Sequence, residues 1–187
     1  TQMIAKGLDF PKVTLVGVVS ADTALNLPDF RSAERTFNLL TQVAGRAGRS
    51  DLGGRVIIQS YAPQHYSIQA AKDHDYNTFY DKEISLRREL YLPPFCHMVS
   101  ITLRGRKEEK VFKASDSLKA ILEKANRSKK IDILGPAPSP ISRMKGMYRW
   151  NIFLRSENAE NIISILKEAL AKNKRSGIIV TVDVDPS

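Results

Sequence analysis

From Met98 to Asp183 the apolar positions alternate between a period of two and a helical period, and this alternation limits the fold more than any other feature. Met98 to Arg104 reads as a strand, and Glu108 to Ala125 as an amphipathic helix. Ile131 to Leu134 and Tyr148 to Arg155 are strands, Asn158 to Lys172 is a helix, and Ile178 to Asp183 is a last strand. The order βαββαβ predicts the split βαβ, ferredoxin-like arrangement, an α+β domain with an antiparallel sheet and two helices on one face. Between its middle strands, Gly135-Pro136-Ala137-Pro138-Ser139-Pro140 is poor in donors. A stiff surface connection is expected there rather than a strand interior.

The first sixty residues follow another rule. Val13-Thr14-Leu15-Val16-Gly17-Val18-Val19 is a nearly continuous β-branched run, which suits a strand buried on both faces of a parallel sheet. Phe37, Leu40, Val43, Ala44 and Ala47 recur at helical intervals between Ser32 and Gly48, and Gly53-Gly54 then turns into a strand from Arg55 to Tyr61. Two strands and one helix cannot close a sheet, so residues 1–62 are expected to be part of a larger α/β lobe. Residues 63–95 read as a helical connector carrying Tyr76, Phe79, Tyr80, Ile84, Leu86 and Leu90, stopped by Pro93-Pro94. Residues 96–187 form the βαββαβ domain.

Charge separates the halves. Residues 1–99 hold 11 basic and 10 acidic side chains, and residues 100–187 hold 18 and 10, so nearly all of the net +9 lies in the second half. Such asymmetry suits a polyanion-facing module, although a solvated mixed-charge surface would share it. Cys96 has no cysteine to pair with, and His65, His74 and His97 lack zinc-ligand spacing, so no metal is expected. Cys96-His97 reads as core packing beside a strand. No apolar run is long enough to cross a bilayer and no secretory leader is evident, which predicts a cytoplasmic setting without membrane contact.

Two segments carry candidate chemistry. Gln42-Val43-Ala44-Gly45-Arg46-Ala47-Gly48-Arg49 places Gln42, Arg46 and Arg49 on one helix face, with short residues between them that let a polyanion approach. Last-turn arginines and a Gly48 cap would also suit an ordinary helix end. Arg143-Met144-Lys145-Gly146-Met147-Tyr148-Arg149-Trp150 interleaves cations with aromatic rings at a loop-to-strand junction, offering phosphate attraction and stacking for unpaired bases. Alternation puts Tyr148 and Trp150 on one face and Arg149 on the other, and Trp150 could equally be core.

The first of these segments, together with Thr1-Gln2-Met3-Ile4-Ala5-Lys6-Gly7-Leu8-Asp9-Phe10, resembles the sixth and fifth motifs of superfamily-two helicases. The stretch from Ala21-Asp22 to Glu34-Arg35, with Leu92-Pro93-Pro94-Phe95, Leu134-Gly135-Pro136-Ala137-Pro138 and Tyr148-Arg149-Trp150, narrows the resemblance to the primosomal protein N′ (PriA) family of replication-restart helicases. The resemblance implies a RecA-like second helicase lobe followed by a domain similar to ribosomal protein S10. It also implies that Arg46 and Arg49 act as arginine fingers on the β and γ phosphates of ATP, where a planar permanent cation stabilises spreading charge. Gln42 would orient water or meet the γ phosphate. Gly7 and Asp9 would lie near the nucleotide or the hinge between lobes, while Thr1, Gln2 and Lys6 would track single-stranded DNA; alone, Lys6-Gly7 would read as a turn. Arg143, Lys145, Tyr148, Arg149 and Trp150 are the candidate DNA contacts of the second domain.

No Gly-x-x-x-x-Gly-Lys-Ser/Thr and no acidic Mg²⁺ motif occurs, so this stretch is not expected to hydrolyse ATP by itself. By resemblance, ATP and Mg²⁺ would be held mainly by the other lobe, and zinc by cysteine-rich modules before the fifth motif. The expected function is the C-terminal part of an ATP-dependent 3′-to-5′ helicase that restarts replication. Forked and single-stranded DNA, single-strand-binding protein and other primosome proteins are the implied partners. The rival is a self-contained nucleic-acid-binding or assembly module without a motor.

Overall fold

A computed structural model describes residues 13–47, 54–172 and 177–186. The chain divides into two compact units, Thr1–Glu89 and Leu90–Ser187.

The first unit contains β1 (Leu15–Val18), α1 (Asp22–Leu25), α2 (Ser32–Ala47), β2 (Arg55–Ile58), α3 (Tyr66–Lys72) and α4 (Tyr76–Glu89). β1 and β2 pair in parallel, with Leu15 opposite Arg55 and Val18 opposite Ile58. Val18 and Ile58 turn toward the core, whereas Leu15, Val19 and Ile57 are exposed. The expectation of a strand buried on both faces is therefore corrected. Among the described residues β1 has one neighbouring strand and a core on one side, so alternate β-branched residues stay in water. On α2 the three-and-four spacing works as predicted, burying Phe37, Leu40 and Val43.

The segment read as a connector supplies packing as well as length. Phe79 of α4 stacks on Phe37 of α2 at 4.2 Å between ring centroids, and Ile68, Ala70 and Ala71 of α3 join the same core. α3 and α4 are separate helices because Asp73-His74-Asp75 interrupts them with His74 at φ 54°. Asp75 then caps α4 by accepting from the Thr78 amide at 3.0 Å. Glu83 is buried between the helices and is satisfied there. It accepts from the Tyr66 hydroxyl at 2.5 Å and from Arg87 Nε at 2.7 Å, and Arg87 reaches Glu34 of α2 at 2.8 Å. Burial and the Glu83 carboxylate push the Tyr66 phenol above its ordinary pKa. Asp22 accepts from Ser60 Oγ at 2.8 Å and from the Tyr61 amide, and these bonds hold its carboxyl below the usual range.

The second unit contains β3 (His97–Gly105), α5 (Glu108–Ala125), β4 (Asp132–Met144), β5 (Met147–Ser156), α6 (Ala159–Lys172) and β6 (Ile179–Val184). These are the six elements expected from the alternation, in the same order. Their sheet runs β4-β5-β3-β6 with every neighbouring pair antiparallel. Val99, Ile101 and Leu103 of β3 and Ile152 and Leu154 of β5 point to one face. There Val111, Leu118 and Leu122 of α5 and Ile162 and Leu166 of α6 complete the apolar core.

The proline run is corrected by the structure, because it lies inside β4 rather than linking strands. β4 is an edge strand, so prolines that cannot donate are tolerated along its free side, and two register shifts absorb the irregularity. In the first shift Gly135 has φ +97°, and a Cβ there would lie 2.7 Å from the Asn151 carbonyl oxygen, so only glycine fits. Cys96 is buried as expected and donates to the Tyr91 carbonyl at 3.3 Å. His97 is instead a surface residue, 3.3 Å from Asp185. Among the described residues no helix is long and apolar enough to cross a membrane, and no group of His, Cys, Asp and Glu could hold a metal ion.

Candidate nucleic-acid interface

Of the helicase-type residues, Gln42 is an exposed side chain on α2, and Arg46 follows one turn later on the same helix. Thr1, Gln2, Lys6, Gly7, Asp9 and Arg49 lie outside the described residues. Of the residues expected to face a nucleotide, only Gln42 and Arg46 fall within the described helix.

The basic segment of the second unit is built as a two-residue hairpin. β4 ends at Met144 and β5 begins at Met147, with Lys145 at φ 50° and Gly146 at φ 75° between them. Two consecutive positive φ values are what a type I′ turn requires, and that turn matches the twist of the strands it joins. Arg143 and Lys145 are exposed at its tip. Among the described residues neither has an acidic partner; Arg143 places its guanidinium 5.1 Å from the Tyr148 ring centre.

The sheet separates the five candidate contacts. Tyr148 and Trp150 face the helix-covered side and pack on the apolar core, and the Trp150 ring lies 5.0 Å from that of Phe112 on α5. Arg149 faces the opposite side, where Arg104 of β3 is its direct cross-strand neighbour. Arg143 and Tyr148 thus meet at the hairpin end, while Arg149 and Trp150 lie on opposite faces of β5. The cations lie at the hairpin tip and on the helix-free face, and the two rings are partly buried against the core.

That helix-free face carries residues the linear reading passed over. Along β5 it presents Arg149, Asn151, Phe153 and Arg155, each opposite Arg104, Thr102, Ser100 and Met98 of β3. Asn151 Oδ1 accepts from Thr102 Oγ1 at 3.1 Å and Ser139 Oγ at 2.7 Å, which ties β3, β4 and β5 together. Arg155 is neutralised at one end of the face by Asp132 at 3.3 Å, and donates to the Leu90 and Tyr91 carbonyls. Arg104 and Arg149, at the other end, have no acidic partner among the described residues. Period-two counting from Arg149 would have reached Phe153, and only the cross-strand register could have added Arg104.

An antiparallel sheet backed by two helices on one side, with a basic hairpin and a cationic face on the other, is an architecture able to hold a polyanion. The chain belongs to the family described as the primosomal protein N C-terminal domain, whose model matches residues 88–187. Across its whole length it is similar to proteins named "Replication restart protein PriA": 48% identical to that of Bacillus subtilis, 42% to that of Synechocystis and 40% to that of Treponema pallidum. It spans 24%, 22% and 28% of those relatives, about a quarter of their length.

Proposed function

We propose that this chain is the C-terminal part of an ATP-dependent 3′-to-5′ DNA helicase that recognises branched replication forks and initiates primosome assembly. The observation that carries the reading is continuous similarity over 100% of the chain to replication restart proteins. In this reading β1, α2 and β2 are a piece of a RecA-like lobe, and their parallel strand, helix, strand order agrees with that. The second unit is a ferredoxin-like domain similar to ribosomal protein S10, as its strand order β4-β5-β3-β6 supports. Its cationic hairpin attracts DNA phosphates without reading sequence, as fork recognition demands. Single-strand-binding protein and primosome proteins are the protein partners in this reading.

Gln42, Arg46 and Arg49 would address the phosphates of ATP held with Mg²⁺ mainly by another lobe, with Gly7 and Asp9 near the nucleotide. What the arginines supply is fixed positive charge where the transferring phosphoryl group becomes more negative. In the complete protein, Arg46→Ala and Arg49→Ala should each lower DNA-stimulated ATP turnover by about 10³-fold, the scale of an arginine finger, while fork affinity stays within about twofold. Wild-type turnover in both variants would overturn the motor assignment.

A further inference from the structure

Arg104 and Arg149 are directly opposed on neighbouring antiparallel strands. Like charges so placed repel, and most sheets avoid the pairing or insert an acid beside it. Here the acids of the same face lie elsewhere. Asp132 is engaged by Arg155, and Asp183 sits opposite Ser100, two rows from the arginine pair. The Nε of Arg104 is shut off from solvent and meets no acceptor among the described residues. Two fixed forks, one with an unused buried donor, thus share one end of a sheet face without a compensating carboxylate.

Phe153 lies on the same face, four residues along β5 from Arg149 and hence about 13 Å away. It is half-buried, and unlike Trp150 it has no ring partner among the described residues. Between Phe153 and the arginines lie Thr102, Asn151 and Thr181, whose small hydroxyl and amide groups keep the surface low. Cation pair, low polar floor and free aromatic ring follow one another along the strand.

We propose that this helix-free face binds unpaired nucleic acid, with a backbone phosphate across Arg104 and Arg149 and a base stacked on Phe153. A phosphate is the ligand that relieves opposed arginines, since it accepts from both forks at once. A ring on the same face favours a polynucleotide over an acidic peptide, because every base presents a π-face to stack. The inference rests on reading the second unit as a DNA-binding domain, and it adds to the hairpin tip a separate surface for unpaired strands.

The test is fluorescence anisotropy of the 187-residue chain with labelled oligothymidylate over a salt series. The double variant Arg104→Gln/Arg149→Gln should lose about tenfold in affinity, and its log K against log salt slope should fall by about 0.7, the value for one single-strand phosphate contact. Phe153→Leu, which keeps the apolar bulk, should weaken binding about fivefold with the slope unchanged. Arg104→Lys/Arg149→Lys should restore the slope. The Gln double variant should melt no lower than the parent, because the change removes a repulsion. Parental affinity in both the Gln double and Phe153→Leu variants would overturn the proposal. If Arg143→Gln/Lys145→Gln alone abolished binding, this face would be excluded while the domain reading stood. If the parent chain did not bind the oligonucleotide, both would fall. Displacement by polyglutamate with Phe153→Leu silent would mark a generic anion patch and also overturn it.

Discussion

The two units are stabilised differently. In Leu90–Ser187 a four-stranded sheet and two helices enclose a continuous apolar core in which Ile101, Leu103, Leu118 and Ile152 are fully buried. Among the described residues of Thr1–Glu89 the sheet has two strands with one exposed face, and the helices are joined by a polar cluster of Glu34, Tyr66, Glu83 and Arg87 beside a smaller aromatic core. A self-contained hydrophobic core gains from every methylene and needs no particular angle. A buried ion cluster depends on every partner being present. The second unit should therefore behave as an independent domain that can carry surface functions, and the first as a piece whose exposed strands suit a larger sheet.

The sharpest way to break this contrast is to open a cavity in the larger core. Leu103→Ala should cost about 3–4 kcal/mol, because rigid neighbours from both helices cannot close around the gap. Denaturant unfolding followed by hydrogen exchange should place the loss in peptides of β3, β5 and α5. A loss below about 1 kcal/mol would mean that the sheet face is loosely packed and the contrast wrong.

In the first unit the corresponding lesion is polar. Arg87→Ala leaves Glu83 buried beside Tyr66 with its cation gone, and should cost roughly 2 kcal/mol, less than a fully buried pair because Glu34 is partly in water. Adding Glu83→Gln to Arg87→Ala should recover part of that loss, since the stranded charge disappears. If the double variant were simply the sum of two independent losses, the cluster would not act as a unit.

These particulars mark how far the sequence could be read. α5 was legible to the residue, since an uninterrupted amphipathic stretch between polar loops has one solution. β4 was not, because three prolines argue against a strand unless it is known to be an edge, and edge position is a property of the whole sheet. Nothing in the local sequence marks Glu83 as buried; its bonds to Tyr66 of α3 and to Arg87, which reaches Glu34 of α2, do so only in the fold. The candidate interface divides likewise. Arg143, Lys145 and Arg149 stand out in the chain, whereas Arg104 lies forty-five residues before its partner Arg149 and joins it only through the β3–β5 register.

The smallest effect separates stability from function within one turn. Lys145 adopts φ 50° at the first central position of the hairpin, where asparagine is preferred and lysine is strained. Lys145→Asn should raise the melting stability of the second unit by about 0.5 kcal/mol, since Asn tolerates the left-handed region and keeps the turn type. The same change should weaken binding to forked DNA about threefold and reduce its salt slope by about 1, the share of one phosphate contact. A rise in stability with unchanged affinity would make the lysine an accident of the turn. The opposite signs, stability up and affinity down, would mean that the ammonium is held at the tip against local preference. No comparable conflict is needed to explain the buried polar cluster of the first unit, where every charge already has its partner within the fold.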